Sequence, residues 1–163
     1  MIARNTHRIV CNVAWAKESE RPSGLPVARR LKGSKGIGLS YEKRFAQTIQ
    51  RCLPGAKHGQ WYEYCADGAR GFCQPDVVVP FTGALLVLEC KLKNIEQAQA
   101  QLVQLYLPVL RSCYSRDVRA IIVSRSLSAL PEGCLVARNL LEAIQLTGAG
   151  VVPVLHWLGR GPL

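Results

Sequence analysis

A chain of 163 residues, 48% of them apolar, is long enough to bury one core and too short for a string of domains. Its 21 Lys and Arg against 11 Asp and Glu leave a formal charge of +10, which favours a polyanionic partner without separating DNA from RNA or a membrane surface. No run approaches the ~18 continuous apolar residues of a bilayer span, and residues 9–16 are too short and too interrupted by Asn12 to be a signal peptide, so no membrane partner is expected.

Residues 1–39 carry Arg4, Arg8, Lys17, Arg21, Arg29, Arg30, Lys32 and Lys35 against Glu18 and Glu20, and end in a glycine-rich run. They read as a basic arm of flexible composition. Either its cations contact phosphate, with Arg29, Arg30, Lys32 and Lys35 the candidates, or it is a solvated terminus. The run is no Walker loop, because no strand precedes it and no GK[ST] closes it. Residues 40–163 are expected to form the one domain.

Ser40 is a candidate N-cap for a first helix, in which Tyr41, Phe45, Ile49 and Leu53 recur at helical spacing until Pro54-Gly55. A short strand at 61–65, a turn at Asp67-Gly68 and a second strand at about 72–79 follow. Residues 84–92 are again strand-like. From Ile95 to about Leu110 the apolar positions form one face of a second helix, bent or ended by Pro108. A wholly apolar strand at 118–123, a third helix at 137–147 and a last strand at 151–157 complete the chain. The order αβββαβαβ predicts an α/β fold, with helices flanking a mixed central sheet.

Seven cysteines at wide intervals, with no CxxC pair, are the usage of a reducing compartment, so a cytoplasmic location is expected. His7, His58 and His156 lie far apart and are read as structural or exposed rather than as a zinc site.

The informative stretch runs from Gln74 to Lys91, where two apolar strands are interrupted by an acid, another acid and a lysine. Buried strands rarely carry charge without a reason. If Thr82-Gly83 is a two-residue hairpin loop, Phe81 pairs with Ala84, and counting outwards places Asp76 opposite Glu89. Two carboxylates with Cβ atoms ~4.5 to 5.5 Å apart repel, and something positive is needed between them. Period-two alternation puts Lys91 on the face of Glu89 and sends Cys90 to the other. Two carboxylates, a backbone carbonyl and waters suit Mg²⁺ or Mn²⁺, and the combination suits phosphodiester hydrolysis: the metal lowers the pKa of a water while Lys91 orients it or steadies the developing anion.

Pro75-Asp76, the thirteen-residue spacing and Glu89-Cys90-Lys91 resemble the PD-(D/E)xK nucleases, and so does the order of elements, over about residues 40–124. The resemblance implies a three-layer, restriction-endonuclease-like fold. It also implies a metal held by Asp76, Glu89, the carbonyl of Cys90 and an acid of the preceding helix, Glu42, with Lys91 as the catalytic lysine. Glu42 also has a plainer reading, as an acid stabilising the first turn of a helix. Some branches of the family carry a Gln and a Tyr, spaced QxxxY, on the next helix. Here Gln101 and Tyr106 stand one residue wider.

Gln97, Gln101 and Gln104 share a polar stripe, with Gln101 and Gln104 as accessory candidates and Gln97 read as solvated. Lys93 is a phosphate-contact candidate, and Trp61, Tyr62 and Tyr64 either stack on unpaired bases or fill the core. The expectation is a Mg²⁺-dependent endonuclease acting on DNA rather than RNA, with a homodimer left open. The rivals are a structure-selective enzyme resembling Holliday-junction resolvases, a catalytically inactive nucleic-acid-binding protein of the same fold, and a structural protein in which Lys91 merely neutralises two buried acids. Small size and a basic arm would suit a phage or mobile-element enzyme, by analogy alone.

Overall fold

Alternating and wholly apolar runs build two sheets in the computed structural model, which describes residues 9–24, 34–128, 130–148, 150–161 and 163. In chain order the elements are β1 (Val13–Ser19), α1 (Ser34–Cys52), β2 (Lys57–His58), β3 (Trp61–Ala66), β4 (Ala69–Cys73), β5 (Val77–Phe81) and β6 (Ala84–Lys91). They continue with α2 (Ile95–Gln101), a π-helical turn (Leu102–Tyr106), α3 (Leu107–Tyr114), β7 (Asp117–Ser124), β8 (Val136–Ala137), α4 (Leu140–Leu146) and β9 (Val154–His156). The fold is mixed α/β, and no described helix is long and apolar enough to cross a membrane.

Six strands form the main sheet in the order β2-β5-β6-β7-β9-β8. β2, β5 and β6 pair antiparallel, and β6, β7, β9 and β8 parallel. Its central strands are buried on both faces, as parallel strands between helices must be. On one face Tyr41, Phe45, Ala46 and Ile49 of α1 and Ala143 of α4 cover Val77, Leu86, Leu88, Ile121 and Val123. On the other, Ile95, Ala98, Leu102, Leu105, Val109 and Leu110 cover Val78, Leu85, Val87, Ala120 and Ile122. Tyr41 closes the first layer by donating its hydroxyl proton to the carbonyl of Trp157 at 2.7 Å, with Phe45 edge-on to the same indole.

The hairpin forms in the expected register, with Phe81 opposite Ala84, the turn at Thr82-Gly83, and pairing outwards as far as Val77 opposite Leu88. Gly83 supplies the left-handed backbone of that turn at φ 72°. The expected strand at about 72–79 is instead two strands in different sheets. β4 ends at Cys73 and β5 begins at Val77, and Pro75, which has no amide hydrogen for a ladder, lies in the break.

Several other boundaries also move. Residues 13–19, read as part of a basic arm, form an edge strand of the second sheet, order β1-β3-β4. Glu18 of β1 accepts from Lys57 Nζ at 2.7 Å and from the hydroxyl of Tyr114, which also meets the Tyr62 hydroxyl at 2.9 Å. The Asp67 carboxylate at the β3–β4 turn accepts from the amides of Cys11 and Asn12. Helix α1 starts at Ser34, so the glycine-rich run from Ser34 onwards, Lys35 included, is helical and Ser40 lies inside it. Arg29, Arg30 and Lys32 lie outside the described residues. α4 starts later than expected because Asn139 caps it, accepting from the amide of Glu142, whose carboxylate returns to the amide of Arg138.

Pro108 does not end the second helical stretch. It cannot donate to the carbonyl of Gln104 four residues back, and that carbonyl accepts instead from the amide of Val10 at 2.9 Å. One turn earlier the helix widens to π geometry. All seven cysteines are free thiols.

Candidate metal site at the end of the hairpin

Beyond the last β5–β6 pair, the Asp76 carbonyl accepts from the amide of Gly59 at 3.0 Å, on the β2 side. The side-chain Oδ2 of Asp76 accepts from the amide of Cys90 at 2.7 Å, which brings the carboxylate across to β6. Glu89 is 1% exposed, on the same face of β6 as Leu85 and Val87, while Cys90 packs in the opposite layer. Lys91, partly exposed at the strand end, donates to Glu89 Oε1 at 2.7 Å. Glu89 Oε2 is buried with no hydrogen-bond partner. Such an atom costs stability unless something else satisfies it.

Glu42, Asp76, Glu89 and Lys91 line a cleft of about 280 Å³ together with Phe72, Cys73, Gln74, Gln97, Gln101 and Tyr106. Glu42 reaches it from α1, and its Oε1 lies 3.1 Å from His58 Nε2 on β2. Gln101 donates to the Tyr106 hydroxyl, which donates in turn to the carbonyl of Gln74 at 3.1 Å. This chain crosses the cleft wall and fixes the segment leading into Asp76.

The spacing of Gln101 and Tyr106 is explained by the π-helical turn. In an α-helix at about 100° per residue, a residue five further on points about 140° away around the axis. The i→i+5 bonding of a π turn brings it back to the same side. The segment Leu102–Tyr106 is such a turn, and the two side chains meet.

Of the residues singled out in the sequence, Asp76, Glu89, Lys91, Glu42 and Gln101 are brought together. Gln104 and Lys93 are exposed and outside the cleft lining. Gln97, read as merely solvated, lines it. His58 and Gln74 were missed. β2, two residues long, has no periodicity to read, yet it pairs His58 with Val77, beside Asp76. Gln74 holds the Gly59 carbonyl at 2.7 Å and so ties β2 to the acid's approach.

Burial pushes both Asp76 and Glu89 above the usual carboxylate range. For Asp76 the charges of Glu89 and Glu42 add to the effect, and for Glu89 the ion pair with Lys91 opposes it. Burial would lower the Lys91 ammonium, but Glu89, Asp76 and Glu42 outweigh it and hold it above its ordinary value. A carboxyl raised in the fold binds more protons there than in the unfolded chain. Stability therefore falls as pH rises from the ordinary Asp value of 3.8 through the raised one. In metal-free protein, Asp76→Asn should gain melting temperature relative to wild type as pH rises from about 4 towards 8. Thermal melts in EDTA check this, and a gap that does not change with pH would refute it.

Among the described residues no three His, Cys, Asp or Glu side chains converge as a ready-made metal cage. The donors on hand are oxygens of Asp76 and Glu89, with room in an open polar cleft for water. Mg²⁺ suits this, since it is commonly held by one or two carboxylates and keeps several waters. The unsatisfied Glu89 oxygen fits such a cation. Neither a family model, nor a curated protein, nor a solved structure matches this chain.

Proposed function

We propose that the protein is a metal-dependent nuclease, a DNA endonuclease of the PD-(D/E)xK type with the corresponding restriction-endonuclease-like fold. One observation carries the reading: an unpartnered, buried carboxylate oxygen of Glu89 beside a second raised acid, at the wall of an open cleft. A structural ion cluster would be closed and its atoms satisfied. Here three carboxylates line the cleft against one lining ammonium, Lys91, an excess that a divalent cation would balance.

Asp76 and Glu89 would hold Mg²⁺ or Mn²⁺, with the carbonyl of Cys90 as a further donor on the same strand. When bound, the cation neutralises charge developing on the phosphate oxygens and acidifies a coordinated water. Lys91, anchored on Glu89, presents its ammonium at the cleft, where it steadies the phosphate anion or orients the nucleophile. Glu42, held by His58, adds negative charge at the other side of the pair and accepts a proton or a hydrogen bond from water. Gln101, fixed by Tyr106, and Gln97 offer neutral polar groups to the substrate without adding charge near the metal.

The test incubates the protein with supercoiled plasmid, branched DNA and single-stranded RNA, in Mg²⁺, in Mn²⁺ and in EDTA. DNA cleavage that EDTA abolishes is expected. Salt-sensitive binding with no cleavage in either metal would overturn the proposal in favour of a silent nucleic-acid-binding protein.

A further inference from the structure

The second sheet leaves one face outside the core. The ladder sets Trp15 opposite Cys65, Lys17 opposite Glu63 and Ser19 opposite Trp61, then Glu63 opposite Phe72 and Cys65 opposite Arg70. Trp15, Lys17, Trp61, Glu63, Phe72 and Arg70 thus share a face, since directly paired residues point the same way. The alternate residues Tyr62 and Tyr64 are wholly buried on the inner face, so of the three aromatics at 61, 62 and 64 Trp61 alone belongs to this surface.

Trp15 is 42% exposed, and the Lys17 and Arg70 side chains about two-thirds exposed. Lys17 lies 5.7 Å from the centroid of Trp15, and Arg70 lies 5.4 Å from that of Phe72. Both cations converge on the Glu63 carboxylate, which is 5% exposed beneath them, Lys17 at 3.3 Å and Arg70 in direct contact. The buried acid holds two flexible cations on the sheet beside the rings. Phe72 also lines the acidic cleft, so the face runs into the candidate metal site.

We propose that this face is a platform for unpaired nucleotides, on which bases stack against Trp15, Trp61 and Phe72 while Lys17 and Arg70 meet the phosphates, leading a single strand towards Asp76 and Glu89. The direction of travel rests on the nuclease reading, whereas the binding does not. Aromatic rings interleaved with cations on an open sheet are what a sequence-tolerant single-strand site requires, because every base has a π-face and every linkage a charge. A duplex hides its base faces and gains nothing from the rings.

The test measures binding in EDTA, using full-length protein with dye-labelled oligothymidylate of about 16 nucleotides and a duplex of equal length, by anisotropy and tryptophan emission. The single strand should bind more tightly and quench the emission, with an affinity that falls as salt rises. Trp15→Ala should weaken single-strand binding at least about fivefold and leave duplex binding unchanged. Phe72→Leu, which keeps an apolar side chain beside Arg70, should act in the same direction, and circular dichroism confirms that both variants fold. Equal single-strand affinity in wild type and both variants would overturn the platform, as would loss of self-association in Trp15→Ala without loss of single-strand binding. Trp15-dependent quenching in a protein that cleaves nothing would keep the platform and retire the nuclease. Cleavage with binding unaltered in both variants would do the reverse.

Discussion

Glu89→Gln is expected to lower metal-dependent cleavage by about a thousandfold or more while the metal-free protein keeps its fold. The substitution preserves shape and leaves an amide oxygen to accept from Lys91, but it removes half of the carboxylate pair and the unpartnered Oε2. Losing one preorganised electrostatic contact at a reacting centre alone costs about 10² to 10³ in rate, and weakening the metal adds to it. Stability should hold because one buried like charge beside Asp76 is gone. Initial rates in Mg²⁺ with a melt in EDTA decide it. Cleavage within about tenfold of wild type would sink the metal assignment, and a collapsed melting temperature would favour the structural ion cluster.

Lys91→Ala should also lose cleavage but, unlike Glu89→Gln, should lose stability as well. It strands Glu89, 2% exposed as a side chain, without its cation. Removing one partner of a buried pair costs about 3 to 5 kcal/mol. Lys91 itself is 28% exposed, so water makes up part of the loss and about 2 to 3 kcal/mol is expected. For a domain of this size that is a fall of about 4 to 12 °C in melting temperature. Mg²⁺ should return part of it by bringing a cation to the same acids. The signature of a metal site is therefore two inactive variants of which Lys91→Ala alone loses stability. Equal destabilisation in both would refute it.

The hairpin was legible because its information is local. Thr82-Gly83 set the register, and counting by twos put Asp76, Glu89 and Lys91 on one face. Helix α1 was legible through Tyr41, Phe45 and Ile49, but not its start, since glycines at 36 and 38 argue for a loop in isolation and are overruled in the fold. β1 is not legible because it is an edge strand with charge on both sides, Lys17 on its wet face and Glu18 paired with Lys57 and Tyr114 on the other, where a buried strand would carry Val. Tyr62 and Tyr64 were ambiguous until their partner surface, α3 and the inner sheet, was in place. Gly71 shows the same non-local logic. A Cβ there would lie 2.5 Å from the Tyr64 ring, so the ring occupies the space that any other side chain at this paired position would need.

His58 on β2 and Gln74 in the link between β4 and β5 reach the site across the fold, His58 against Glu42 of α1 and Gln74 against the Gly59 carbonyl, and no local pattern marks either. What remained hidden in the site is therefore the part made by chain crossings rather than by strand pleat.

The π-helical turn at Leu102–Tyr106 also bears on how a motif should be counted. A spacing such as QxxxY expresses an angle through the pitch of the helix that carries it, and the pitch is a variable. A five-residue separation carried on a π turn keeps the flanking α2 and α3 in one core layer and brings Gln101 and Tyr106 to each other. Pattern searches built on fixed intervals pass over such a pair, whereas a search on axial angle would retain it.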